Sequence, residues 1–335
     1  MKVGIVGAGA MGRTHAVGWR QTDAEMVGVV ATNRSQAEAL SETLNASVYD
    51  DFSSLLKDVD AIGICTPTHL HHEMVMQAID ANVHIFCEKP IALNLADGVE
   101  MIRTAEAAGV RLFIGMVLHF FPEYTALKQS INGGAVGNPR VIRMSRASYR
   151  PQRPADDWFM KEAQSGGMIV DLMIHDFEMS RWLAKGDVQR VFAKAIRRQK
   201  PEVLGDHALA ILRFDNGAMA HIEGSWAYPM SMFNVRAEVA GDKGLIEWES
   251  DKSTPLMQHR HAAVNSGGDV ALPGSPLAEA PWTTEVKHFY QSLVDGTDFA
   301  VSPLDALKGL QIALAAQEST RTGKAITLES LEIIS

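Results

Sequence analysis

The first third of the chain alternates short apolar runs with stretches of helical period. Val3–Val6 reads as a buried strand, Gly12–Gln21 as a helix, Met26–Ala31 as a strand and Ser35–Leu44 as a helix. Ala61–Thr66, His84–Cys87 and Arg111–Met116 read as further strands. A helix around Glu73–Ala81 separates the first two. A longer helix follows His84–Cys87, capped by Asn94 with Asp97 three residues on, ending at Ala108 and stopped by Gly109. The run Ala61-Ile62-Gly63-Ile64-Cys65 does not alternate, as suits a strand covered on both faces. Strands separated by helices of about 10–15 residues predict βαβ units and a doubly wound parallel sheet.

The pattern changes near His119. Val141–Tyr149 and Val191–Arg198 read as longer strands with a helix, Gly167–Leu183, between them. His207–Phe214 and Ala218–Trp226 flank Asp215-Asn216-Gly217, a hairpin signal, and Val235–Ala240 and Leu245–Glu249 flank Gly241-Asp242-Lys243-Gly244, another. Successive hairpins predict one open, mostly antiparallel sheet. Two helices close the chain, Thr284–Leu293 and Leu304–Thr322, the second with Ser302 as cap, Pro303 at the first helical position and Asp305 at the third. Pro255–Pro281 reads as a surface loop. The fold class is therefore α/β, with one domain over 1–118 and a second α/β domain over 119–335.

At 335 residues the chain has room for two domains of about 150 each. Its 46% hydrophobic and 21% charged residues exclude a disordered or fibrous chain. A net charge of −9 speaks against nucleic acid as a partner. Cys65 and Cys87 are the only cysteines, too few for a disulfide scaffold. No apolar run reaches about 18 residues, so no membrane span is expected. The opening Met1-Lys2-Val3-Gly4-Ile5-Val6 already reads as a strand rather than a signal peptide, which points to a cytoplasmic protein.

Gly7-Ala8-Gly9-Ala10-Met11-Gly12 is a G-x-G-x-x-G that follows a strand and opens a helix. Gly7 allows a tight turn, Gly9 lets the backbone approach a pyrophosphate, and Gly12 lets helix and strand pack closely. Ala10, Met11 and Gly12 open the helix, where unpaired N–H groups meet phosphates. At the end of the second strand an NAD site usually carries an acid for the ribose hydroxyls. This chain has Asn33-Arg34-Ser35 instead, which suits a 2′-phosphate; the cofactor is NAD or NADP, with a slight lean to NADP.

Asp171 and His175 are spaced i, i+4 in an apolar helical stretch, a spacing that places both on one face. Lys89 follows a parallel strand, at the carboxyl edge where ligands bind. The histidines His69, His71 and His72 lack the cysteines or paired carboxylates of a metal site, so no metal is assigned. Arg140, Arg143, Arg146, Arg150 and Arg153 form an arginine-dense run. Arg143 and Arg146 point to opposite faces of a strand, and the run reads as mostly solvated, with one contact to an acidic sugar as the alternative.

Gly7–Gly12, Thr66-Pro67-x-x-x-His71, Glu88-Lys89-Pro90 and Gly166-Gly167…Asp171…His175 occur in the order and spacing of the Gfo/Idh/MocA oxidoreductases, and the chain resembles that family over essentially its whole length. The resemblance implies an N-terminal Rossmann domain, a C-terminal domain with an open sheet, and hydride transfer between NAD(P) and a secondary alcohol or ketone of a sugar, inositol or related polyol. By the same resemblance His175 acts as acid and base, Lys89 bonds the reacting oxygen and the nicotinamide ribose, and Asp171 binds substrate hydroxyls. Thr66 and Pro67 line the cofactor cleft with His71 near them, and a cis Lys89–Pro90 bond is suggested. Glu88 reads as a structural partner at that turn. His119 and Glu178 depart from the commoner family pattern; His119 is a candidate substrate contact, as is Trp158, whose ring suits the apolar face of a sugar. The resemblance also implies a homodimer or homotetramer built through the open sheet face, for which the alternating apolar residues of Ala218–Trp226 are candidates. Two other functions fit the same fold. One is an NAD-dependent glycoside hydrolase working by transient oxidation. The other is a non-catalytic ligand sensor, against which retained Lys89 and His175 argue.

Overall fold

The computed structural model describes residues 1–196, 207–229, 232–250 and 279–331. In chain order the elements are β1 (Lys2–Val6), α1 (Ala10–Trp19), β2 (Glu25–Val30), α2 (Arg34–Leu44), β3 (Ser47–Val48), α3 (Phe52–Leu56), β4 (Ala61–Ile64), α4 (His71–Asp80), β5 (His84–Glu88), α5 (Leu95–Ala108), β6 (Leu112–Gly115), α6 (Pro122–Asn132), β7 (Pro139–Ser148), α7 (Glu162–Ser165), α8 (Gly167–Asp171), α9 (Ile174–Ala184), β8 (Val188–Ile196), β9 (His207–Phe214), β10 (Met219–Ser225), β11 (Phe233–Gly241), β12 (Leu245–Glu249), α10 (Pro281–Asp295), α11 (Pro303–Thr322) and β13 (Ile326–Thr327). They divide into two compact units. One takes Met1–Phe121 and, near the chain's end, the described residues up to Leu307; the other starts at Pro122 and resumes at Lys308. Helix α10 belongs to the first unit although it lies beyond residue 118, where the sequence pattern begins the second domain.

The first unit is built on a six-stranded, all-parallel sheet in the order β3-β2-β1-β4-β5-β6. Strand order reverses between β1 and β4, the switch point where ligands of such sheets bind. β4 and β6 are buried along their whole length, which explains their unbroken apolar runs. Val3, Ile5, Trp19, Phe86 and Phe113 share one core cluster with Val286 and Phe289 of α10. Gly18 makes that docking close: a Cβ there would lie 2.7 Å from Val286 Cβ. Asn94 caps α5, its Oδ1 accepting from Asp97 N at 2.9 Å, and Gly109 ends it in the left-handed region. Ser302 and Asp305 form the reciprocal cap at the start of α11.

The second unit carries a seven-stranded sheet in the order β12-β11-β7-β10-β9-β8-β13. Both hairpins form as the turn residues predict. The sheet is mixed, because β7 and β10 pair in parallel from Val141↔Met219 to Ala147↔Ser225; local turn chemistry carries no information about that long-range partner. Along β9 burial alternates strictly, Ala208, Ala210 and Leu212 inward and Leu209 and Ile211 outward.

Helix α6 went unrecognised, although Tyr124, Leu127 and Ile131 form its buried stripe at helical spacing. The stretch expected as one helix, Gly167–Leu183, is two, α8 and α9, with Leu172 and Met173 between them. Both of those N–H groups converge on Met168 O, at 2.9 and 3.2 Å. Met173 is fully buried and seats against bare Gly224 of β10, where a Cβ would come within 2.3 Å of its Cγ. The Pro255–Pro281 loop reading falls almost wholly outside the described residues, as do the last two residues of Val191–Arg198. Among the described residues no helix is long and apolar enough to cross a membrane.

Candidate active site

The three motif glycines differ in what holds them. Gly7 sits at φ +100°, and a Cβ there would fall 2.3 Å from Cys65 O. A Cβ on Gly12 would fall 2.0 Å from Gly7 O. Folding alone therefore demands glycine at both positions. Gly9 is different: its backbone is extended, at φ −71° and ψ −161°, and a Cβ would meet nothing within 4 Å. It stands as N-cap of α1, and no side chain caps that helix. The N–H groups opening α1 at Ala10, Met11 and Gly12 thus lie behind bare backbone at the end of β1, beside the switch point. That cradle fits a dinucleotide pyrophosphate.

The end of β2 gives a less open picture. Asn33 caps α2, its Oδ1 accepting from Gln36 N at 3.1 Å. Arg34 Nε is 3.1 Å from Glu38 Oε1 and its Nη1 is 3.0 Å from Asp50 Oδ1. Ser35 is exposed in the first turn.

At the carboxyl ends of β4 and β5 two turns are tied together by His71. Its Nδ1 lies 2.8 Å from Pro90 O and its Nε2 3.1 Å from Thr66 O. Burial lowers its pKa below the ordinary histidine value, against the pull of the two carbonyls. Each ring nitrogen faces a backbone carbonyl, and the neutral ring donates its one N–H to one of the two, so His71 packs between the turns as a strap. Pro67 leads into the short 3₁₀ turn Thr68–Leu70 before α4. Lys89 follows β5 directly, half-buried, and the Lys89–Pro90 bond is cis.

Sequence reasoning missed what lies beneath Lys89. Glu88 Oε1 is 2.7 Å from Nε2 of His15, a buried residue of α1, and Glu88 Oε2 accepts from the backbone N–H of Lys89 at 3.2 Å. Nδ1 of His15 is 3.5 Å from Cys65 Sγ. Burial opposes charge on this ring, but Cys65 and Glu88 together raise its pKa well above the ordinary value. The position of His15, three residues past the last motif glycine on the inner face of α1, was the available signal.

In the second unit Asp171 ends α8 and His175 is the second residue of α9. The i, i+4 spacing therefore crosses an interrupted helix rather than running along one. The next residue, Asp176, is fully buried and grips Arg146 of β7 through two bonds, Nε to Oδ2 at 2.7 Å and Nη2 to Oδ1 at 3.0 Å. Nη2 also donates to Tyr124 Oη at 3.3 Å. Burial pushes Asp176 up from the usual carboxylate range, and the guanidinium pulls it back. This corrects the solvated reading for Arg146, whereas Arg140 and Arg143 are exposed as expected. Arg146 is buried because its strand position faces α9, and what β7 points inward must be paired. Arg143, on the other face, pairs with Glu238. Trp158 lies half-buried in the 3₁₀ turn Trp158–Met160, edge-on to Phe159 at 5.5 Å, and Asp157 caps that turn. His119 is buried in the turn Val117–Phe120 of the first unit.

Comparison with known proteins places this arrangement. Residues 1–116 match the model for an oxidoreductase family with an NAD-binding Rossmann fold, and residues 124–247 match the GFO/IDH/MocA C-terminal domain. The chain is 30% identical to a myo-inositol 2-dehydrogenase of Thermotoga maritima over 99% of both chains. The chain belongs to the Gfo/Idh/MocA family. It is 28% identical to a scyllo-inositol 2-dehydrogenase (NAD(+)) of Bacillus subtilis, covering 98% of this chain and 96% of that one. A crystal structure of a probable dehydrogenase from Thermotoga maritima superposes with a TM-score of 0.83 at 28% identity, covering 98% of each chain. As a Gfo/Idh/MocA member the protein is an NAD(P)-dependent oxidoreductase acting on CH–OH groups.

Proposed function

We propose that this protein transfers a hydride between NAD and a secondary alcohol carbon of an inositol or closely related cyclic polyol. The observation that carries the reading is the match of both halves of the chain to the family's two domains; within it the family resemblance assigns the chemistry to Lys89 in the first unit and to Asp171 and His175 in the second. The inositol 2-dehydrogenases to which the chain is similar along its full length support the substrate class.

The bound nicotinamide supplies the hydride acceptor or donor. The chain's residues do the rest. His175 takes the hydroxyl proton as the alcohol is oxidised and returns it in the reverse direction. The Lys89 ammonium bonds the reacting oxygen as its charge develops, and the nicotinamide ribose beside it. Asp171 accepts from neighbouring hydroxyls and fixes which carbon is presented. Gly9, Ala10, Met11 and Gly12 meet the pyrophosphate. Thr66 and Pro67 flank the cofactor, and Trp158 and His119 are substrate contacts.

NAD rather than NADP is supported by the surroundings of Arg34. Its guanidinium is shared by Glu38 and Asp50, and two carboxylates beside a 2′-phosphate repel it. The slight lean to NADP drawn from Asn33-Arg34-Ser35 is not carried forward. We further propose a homodimer or homotetramer formed through the outward face of the seven-stranded sheet, where Leu209, Ile211, Met219 and Ile196 are exposed. Within β10 Ala220 and Ile222 face inward, so β10 supplies only Met219 to that surface and β9 supplies Leu209 and Ile211. Free Cys65 and Cys87 suit a cytoplasmic setting.

The test is a panel of inositols, polyols and sugars with NAD and NADP in parallel, followed by the absorbance of the reduced nicotinamide. Turnover with an inositol and NAD supports the reading. Glycoside cleavage with tightly retained cofactor and no net absorbance change overturns it in favour of the hydrolase alternative.

A further inference from the structure

Next to the Lys89 turn His15 of α1 meets Glu88 of β5, and Glu285 of α10, whose neighbour Phe289 packs with His15 on Phe86, faces both. All three are buried, His15 and Glu285 completely. Glu88 is fully engaged, Oε1 with His15 Nε2 and Oε2 with the Lys89 N–H. Glu285 is not: among the described residues neither of its oxygens has a hydrogen-bond partner. A buried carboxylate without a partner is far more costly than the neutral acid. Of two carboxyls sharing one dry site, the one that receives hydrogen bonds keeps the charge and the other keeps a proton.

We propose that His15, Glu88 and Glu285 form a buried proton-holding cluster in which Glu88 is the anion, His15 the cation and Glu285 the neutral acid, and that His15 and Glu88 are positioning residues for Lys89. The inference rests on the reading that Lys89 bonds the substrate oxygen. Glu88 ties the Lys89 backbone to α1 through His15, so the ammonium starts from a fixed point instead of a free turn. Glu285 completes the cluster without adding a second charge. Its pKa lies well above the usual carboxylate range, from burial first and from the charge of Glu88 second. The other titratable groups facing the cluster are Cys65 after β4, Cys87 on β5, and His71 of α4 with Lys89, which both feel or carry charge near Glu88. Loss of the His15 proton removes the cation facing Glu88 and leaves it only a neutral N–H donor at Nε2, so the turn is held less firmly on the alkaline side.

Steady-state kinetics on the NAD-loaded enzyme across pH test this. His15→Leu is expected to lower kcat by about tenfold or more, the scale of a misplaced reacting group, with KM for NAD little changed. His15→Gln, which offers an amide N–H to Glu88, restores much of kcat at neutral pH but loses the alkaline limb that His15 sets. Parent-like kcat and pH profile in His15→Leu and Glu88→Gln, with Lys89→Met inactive, overturns the positioning role while leaving Lys89 in place. Full turnover in Lys89→Met overturns the underlying reading instead. Independently of activity, infrared spectra of the folded protein should show a protonated-carboxyl stretch that Glu285→Gln removes. Absence of that band from the parent protein overturns the assignment of the proton.

Discussion

Arg146 and Asp176 meet as a fork-to-fork ion pair, both buried, one strand and one helix deep inside the second unit. Asp176 is the neighbour of His175, so the pair fixes the start of α9 on β7 at the point where a proposed acid–base group stands. Removing one partner strands the other charge in a dry site. Asp176→Asn or Arg146→Met should therefore cost about 3–5 kcal/mol. The double replacement Arg146→Met/Asp176→Leu should recover much of that, since an apolar pair of similar volume often replaces a buried ion pair at little cost. Denaturant unfolding of the three variants checks this; an additive double variant refutes it.

Gly9 separates binding from folding. A methyl group there meets no protein atom within 4 Å. Gly9→Ala should change stability by no more than about 0.5 kcal/mol, as at an unconstrained surface site. NAD affinity should fall about tenfold or more, or ~1.4 kcal/mol. Gly12→Ala should instead destabilise the fold, because its Cβ would fall 2.0 Å from Gly7 O. Calorimetric titration and thermal melts on both variants distinguish the two roles. Unaltered NAD affinity in Gly9→Ala would place the pyrophosphate elsewhere.

Stability should decline with alkaline pH. His15 has a folded pKa raised well above 6.5, so the stability its proton brings is complete below 6.5 and is lost as pH rises through the folded value. Glu285, raised well above 4.5, acts in the same direction: the folded state holds its proton where the unfolded chain has released it. Tm should therefore fall as pH rises above 4.5 through Glu285 and above 6.5 through His15, and the part of the fall that begins at 4.5 should be shallower in Glu285→Gln. A slope identical to that of the parent would show that Glu285 does not titrate on unfolding.

The exposed apolar residues on β9 give a fourth prediction. Leu209 and Ile211 stand two residues apart on the outward face, at 45% and 38% exposure. Apolar side chains adjacent on an open sheet face favour association. Light scattering should report an oligomer for the parent and a monomer for Leu209→Lys/Ile211→Glu. A parent that is monomeric at all concentrations removes the proposed interface.

Much of the site was legible because it is encoded locally. The G-x-G-x-x-G turn, the Asn94 and Ser302 caps and both hairpins are decided by residues within a few positions of each other. Elements joined by short-range periodicity, such as β1, α1 and β4, appear in the structure close to where the pattern puts them. The failures share the opposite property. The break between α8 and α9 exists because Met173 must fit against Gly224, some 50 residues later in the chain. The parallel pairing of β7 with β10 likewise has no local signature.

The sequence by itself determined the fold class, the dinucleotide turn and the residue types available for proton and hydride chemistry, because backbone conformation and apolar period act over one or two turns of chain. Only the tertiary structure decided which charges are buried and what they face. Arg146 looked like one solvated arginine among five until Asp176 and Tyr124 closed on it. Nothing local relates His15 to Glu285; α1 and α10 bring both beside Glu88. Desolvation depends on what the rest of the chain places around a group, and that is settled only when distant segments meet.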